Sequence, residues 1–137
     1  MFETASAGVA FLLARLLFGG VLAFMGLNHF MNAEEMAGYA EFKGLPAPAF
    51  SVLTSGGLLV FGGLSVVTGV VPVIGAGALA LFLLVSAVTM HDFWRMDGED
   101  TQSEMTSFLK NLFGAAGALA FLAVSEVGWP YALGVGF

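Results

Sequence analysis

From Phe50 to Met90 the chain runs for forty-one residues without a charged side chain, and the apolar run is broken near its middle only by Gly69-Val70-Val71-Pro72. About 20 apolar residues suffice for a helix to cross ~30 Å of hydrocarbon, so this stretch predicts two crossings joined by a tight turn. Pro72 suits the first turn of the second crossing, where its missing N–H is not needed. An earlier apolar stretch is interrupted only by Arg15, and a later one ends at Glu126. The pattern predicts helices over about 5–30, 50–70, 73–92 and 108–126, forming a single transmembrane domain over 1–137. The fold class is an all-α integral membrane protein: an antiparallel four-helix bundle, since short loops make consecutive crossings neighbours.

Between the first two crossings, Asn32 stands before Glu34 and Glu35, and the second of these occupies the capping-box position. Met36, Tyr39, Ala40 and Lys43 then fall on one helical face, before Gly44 and Leu45-Pro46-Ala47-Pro48 end the segment. This spacing predicts a short interfacial helix lying on the bilayer.

Composition agrees with the pattern. The chain is 58% hydrophobic and 10% charged over 137 residues, outside the range of soluble domains. Chemistry is therefore expected within the bundle or at its rims. Glu3 and the lack of Lys or Arg before Arg15 argue against a cleaved signal peptide, so the first helix is expected to be retained. With no cysteine, thiol redox chemistry and Cys-ligated metal centres are excluded. Redox chemistry here would need a bound cofactor or a redox partner protein. A net charge of −6 excludes nucleic acid as a partner on electrostatic grounds, which leaves the lipid bilayer and leaves a homo-oligomer open. The expected location is the cell membrane.

Small residues recur four apart, at Gly19 and Ala23, Ser65 and Gly69, and Gly114 and Ala118. In lipid such stripes let helix backbones approach closely, which predicts tight internal packing. Counting crossings places both termini and the Gly69 turn on one membrane face, with the other two loops opposite. Lys43, Arg95 and Lys110 lie on that second face, which the positive-inside tendency assigns to the cytoplasm.

Polar residues inside the apolar pattern carry the candidate chemistry. Arg15 must face the bundle interior or snorkel, and Glu126, carbonyls or water could satisfy it. Topology brings His29, His91, Asp92, Trp94, Lys110 and Asn111 to one rim, with Tyr39 beside them. Three readings stay open for this cluster: headgroup anchors, a small-molecule site, or paired metal or haem ligands. In the second, the imidazoles and Lys110 would bond a quinone carbonyl whose ring stacks near Trp94 or Phe93. No other metal set is indicated. Neither a nucleophile elbow nor a phosphate loop occurs, and no inverted repeat suggests a solute carrier.

The chain resembles the DoxX family of small four-helix membrane proteins over nearly its whole length. The resemblance rests on Arg15 with Phe24-Met25-Gly26-Leu27-Asn28-His29-Phe30, on Phe42-Lys43-Gly44-Leu45-Pro46-Ala47-Pro48, and on Gly62-Gly63 leading to Gly69. It continues through His91-Asp92-Phe93-Trp94 and Phe108-Leu109-Lys110-Asn111-Leu112. It implies a subunit or accessory of a quinone-linked membrane redox system, or otherwise a noncatalytic assembly protein. Many members carry a Glu shortly before the paired glycines, where this chain reads Ser55-Gly56-Gly57, so a buried Arg–Glu pair is not expected.

Overall fold

The computed structural model describes residues 1–136, which fold into five helices. They are α1 (Ala5–Met31), α2 (Ala33–Phe42), α3 (Pro48–Thr68), α4 (Pro72–Met90) and α5 (Asp100–Ala123), with a 3₁₀ turn at Phe93–Arg95 before α5. Helices α1, α3, α4 and α5 are long and apolar enough to span a membrane. The protein is an all-helical, four-crossing integral membrane protein, with α2 folded across one end.

Each helix end has a local cause. Thr4 caps α1 by accepting a hydrogen bond from the Ala7 amide. The hairpin between α3 and α4 turns through Gly69 at φ 73°, which glycine adopts freely, and Pro72 opens α4. At the start of α2 the expected capping box is absent. The Asn32 amide instead donates back to the Asn28 carbonyl and side-chain oxygens, which removes it from the α2 terminus. Helix α5 begins eight residues before the expected 108, because its first two turns are polar yet helix-compatible, with Asp100 favourably placed against the helix dipole.

Packing follows the order α1, α3, α4, α5. At the α1–α3 crossing the backbones touch. A Cβ on Gly63 would strike the Gly19 carbonyl, and one on Gly26 would strike that of Gly56. The core between α3, α4 and α5 is built from Leu59, Val66, Leu79, Leu83, Ala118 and Phe121. Aromatic edges close the terminal end between α1 and α5, where Phe18 and Phe11 meet Phe121. At the opposite end α2 lies over the bundle, and Phe93, Trp94 and Phe108 pack edge-on where the 3₁₀ turn meets α5.

Arg15 is wholly buried and meets carbonyl oxygens rather than a carboxylate. Its Nε donates to Val66 (3.1 Å), Nη2 to Val67 (2.6 Å) and Tyr131 (3.3 Å), and Nη1 to Pro130 (2.6 Å). Trp129 covers the guanidinium, its ring centroid 5.3 Å from Cζ. Of the partners left open from sequence, Glu126 is exposed and carbonyls are what the guanidinium meets. The reason is geometric: the chain after α5 turns back into the bundle and presents its own backbone. A helix leaves its last four carbonyls without intrahelical donors. At the end of α3, Ser65 is answered by the Gly69 amide, Val66 and Val67 by Arg15, and Thr68 by the Leu133 amide. The positive guanidinium also sits at the negative end of the α3 dipole.

Candidate functional site

A cleft of about 910 Å³ opens at the end away from Arg15, between α1, α3 and α4 and beneath α2. Its apolar walls include Met25, Met36, Leu58, Phe82 and Leu83. Phe50 and Val85 line it while remaining 71% and 52% exposed, so it opens sideways toward lipid. The polar lining comprises His29 and His91, Glu35, Tyr39, the Asn28, Asn32 and Asn111 amides, and hydroxyls such as Ser86. Ser55 and Thr89 return their hydrogens to carbonyls one turn earlier, at Ser51 and Val85.

Both imidazoles are oriented by their other nitrogen. His29 Nδ1 lies 2.8 Å from the Met25 carbonyl, and an acceptor there makes Nδ1 the donor. His91 Nδ1 donates to Glu104 Oε1 at 2.5 Å. Each ring is thereby held with Nε2 available to a ligand, the arrangement expected of an oriented binding histidine.

The His91 partner belongs to a partly buried polar network that bolts α2 to α4 and α5. Tyr39 donates to Glu104 Oε2, and Lys43 donates to Asp92 Oδ1 at 2.6 Å, with Glu104 3.7 Å away. The Lys43 and Glu104 side chains are only 8% and 11% exposed. Burial, reinforced by the Glu104 carboxylate, pushes the Tyr39 phenol well above its ordinary pKa. Tyr39 therefore stays a donor through neutral pH, and its help in holding α2 is lost only as pH rises beyond the usual tyrosine range. Lys43→Met removes the cation between two carboxylates, so faster proteolytic cutting at residues 32–47 is expected than in the unaltered chain. Cutting at an unchanged rate would show that α2 is held by apolar contacts alone.

Of the residues expected at one rim, the structure brings His29, His91 and Asn111 to the cleft. Asp92 is engaged by Lys43 instead. Trp94 stands outside the lining, half exposed, with its ring edge-on to Phe93 and Phe108, so Phe82 and Phe50 supply the aromatic walls in its place. Lys110 is exposed on α5 and does not line the cleft. Sequence reading missed Lys43 and Glu104 as site residues. The signal was there in part: Glu104, Ser107 and Asn111 recur at i, i+3 and i+7, a polar stripe on one face of a helix that must begin before residue 104.

The DoxX family model matches residues 10–92, more than half of the chain, and takes in Arg15, His29, Lys43, His91 and Asp92. No curated protein and no solved structure gives a match.

Proposed function

Because the chain belongs to the DoxX family, we propose that it serves as a subunit or accessory of a quinone-linked redox system in the cell membrane, with the quinone headgroup held in the α1–α3–α4 cleft. The observation that carries this reading is the cleft itself: apolar, open toward lipid, and holding a few oriented hydrogen-bonding groups. Ligand sites of ~300–1,000 Å³ commonly combine such walls with a small number of fixed polar contacts. A quinone ring with the first part of an isoprenoid tail fits that description, whereas a charged metabolite finds only Glu35 as a formal charge in the lining. When bound, a quinone would supply two-electron, two-proton redox chemistry, with electrons from a redox partner protein. The chain's own residues would hold it: Asn111 by donating from its amide to a ring carbonyl, His29 and His91 through Nε2 as acceptors for the ring hydroxyls of the quinol form, and Phe82 and Leu58 against the ring.

The scaffold alternative is weakened by where the glycine stripes go. Gly19, Gly26, Gly56 and Gly63 are used up in the α1–α3 crossing, leaving no such stripe there for a partner.

The test is purification in mild detergent, lipid extraction and visible spectroscopy. Quinone should be recovered with the protein, and added decylubiquinone should bind. Each hydrogen bond contributes ~0.5–1.5 kcal/mol, so replacing both His29 and His91 with Ala should weaken binding of decylubiquinol, whose hydroxyls the two Nε2 atoms accept, by roughly tenfold to a hundredfold. A haem absorption band instead would assign the two Nε2 atoms to iron, and failure to bind either would overturn the reading.

A further inference from the structure

His91 and Tyr39 form a wall with a cavity on each side. Within the bundle they line the lipid-facing cleft. Outside it they line a second hollow, about 410 Å³, together with Phe42, Met96, Asp100 and Glu104. Glu104 is the only residue of that outer hollow that also bonds the His91 imidazole. Its two oxygens are divided between His91 Nδ1 and the Tyr39 hydroxyl, while Lys43 stands 3.7 Å from the Tyr39 side. An acid with a side chain only 11% exposed, shared between elements and bonded to an imidazole that lines both cavities, is more than an anchor needs. A surface anchor would leave its carboxylate in water.

From this geometry we infer that Glu104 and His91 form a proton path joining the aqueous hollow to the lipid-facing cleft, with Glu104 acting on the cleft ligand only through His91. The inference rests on the quinone reading of the cleft. In the direction of quinone reduction, two electrons arrive from the redox partner protein and His91 gives the Nε2 hydrogen to the ring oxygen facing it, breaking that N–H bond and forming an O–H bond. Glu104, at rest a carboxylate that accepts from Tyr39, then takes a proton from water in the outer hollow and passes it to Nδ1, which returns Glu104 to the carboxylate form. Exchange of the imidazole tautomer restores Nε2–H and resets the pair. The opposite ring oxygen takes its proton from water at the cleft mouth. In the direction of quinol oxidation every transfer runs backward, which is the state drawn by the observed bond: Nδ1–H on a Glu104 carboxylate, with Nε2 free to accept.

Glu104 is thus a positioning and proton-holding residue, and Tyr39 and Lys43 hold its carboxyl in place. Asp92 is occupied by Lys43, so it does not compete for His91.

The test uses the full chain in lipid nanodiscs, with decylubiquinone as the probe and dithionite as the electron source. Binding is measured first, by calorimetry, for the unaltered chain and for Glu104→Gln and Glu104→Asp. Proton uptake on reduction is then followed with an indicator dye. Because Glu104 orients the His91 ring, its variants are expected to shift affinity severalfold, so proton uptake is compared at decylubiquinone concentrations that saturate each protein. General acid–base groups typically contribute 10²–10⁴-fold, so proton uptake in Glu104→Gln should slow by about a hundredfold, with Glu104→Asp retaining most of the rate. Formic acid, a small diffusible proton carrier, should restore Glu104→Gln and leave the unaltered chain unchanged. A Gln variant that binds and takes up protons at the full rate overturns the path, as does a slow variant that formic acid does not restore. Failure of the unaltered chain to bind decylubiquinone overturns the quinone reading, and the path with it.

Discussion

Replacing Arg15 with Met should release the chain after α5 and destabilise the fold by several kcal/mol, because each buried carbonyl left without its donor costs ~1–3 kcal/mol. Met matches the length and apolar character of the Arg stem, so the change isolates the guanidinium. Four carbonyls then lose their donor. Two belong to Val66 and Val67 at the end of α3, and two to Pro130 and Tyr131. In hydrocarbon no water replaces a lost donor, and each unsatisfied backbone group is costly. The Leu133–Thr68 and Val71–Val135 hydrogen bonds would remain, but as isolated bonds without the anchor between them. Unfolding with sodium dodecyl sulfate in mixed micelles should show the loss of stability. Proteolysis should cut after α5 at a dose that leaves the unaltered chain whole. Arg15→Lys should fall between the two, because three ammonium donors on a point cannot reach four carbonyls spread around a planar fork. Decylubiquinone binding by the folded fraction should survive, since the cleft lies at the other end of the bundle. A variant as stable as the parent would mean that Trp129 and its ring contacts hold the tail by themselves.

This assignment removes Arg15 from the list of chemical groups, although intramembrane charge is by default a functional signal. The cost of burying the cation is met by backbone carbonyls and the faces of the Trp129 and Phe11 rings, with no carboxylate. That is why the missing acid before the paired glycines matters little: Ser55 lines the cleft, and the guanidinium needs no carboxylate.

The four crossings were legible in the sequence because hydropathy reports on each segment separately. Rim residues His29, His91 and Asn111 followed from topology, for a crossing count fixes which helix ends share a face. What escaped was whatever depended on polar helix turns or on backbone. The first two turns of α5 read as a loop by hydropathy, and this hid Glu104. Lys43 looked like one more interfacial cation because nothing local shows α2 folding inward onto Asp92. The partners of Arg15 are carbonyls, which every residue carries, so no side-chain pattern could have marked them. Trp94 shows the opposite error. Its proximity to His91 in sequence suggested a stacking platform, yet the 3₁₀ turn at Phe93–Arg95 carries it outward onto Phe108.

The adjacent glycines Gly56 and Gly57 should respond to alanine with opposite signs. Glycine within a helix is about 1 kcal/mol less favourable than alanine, so Gly→Ala in a helix normally stabilises. At Gly57 a new Cβ meets nothing within 4 Å, and Gly57→Ala should gain up to that amount. At Gly56 the Cβ would lie 2.9 Å from His29 Cβ and 3.0 Å from the Gly26 carbonyl. Neither neighbour is the free end of a flexible chain: one is backbone and the other sits at the root of its side chain. Helices α1 and α3 must therefore part, and overpacking of this kind costs ~1–3 kcal/mol, which exceeds the gain in helix propensity. The same displacement carries His29 away from its place in the cleft. Gly56→Ala is accordingly expected to lose both stability and quinol affinity, and Gly56→Val to lose more of each, while Gly57→Ala leaves affinity unchanged. Detergent unfolding and decylubiquinol titration of the three variants measure both effects. Loss of stability without loss of affinity in Gly56→Ala would show that His29 does not contact the ligand, and would leave His91 as the imidazole that does.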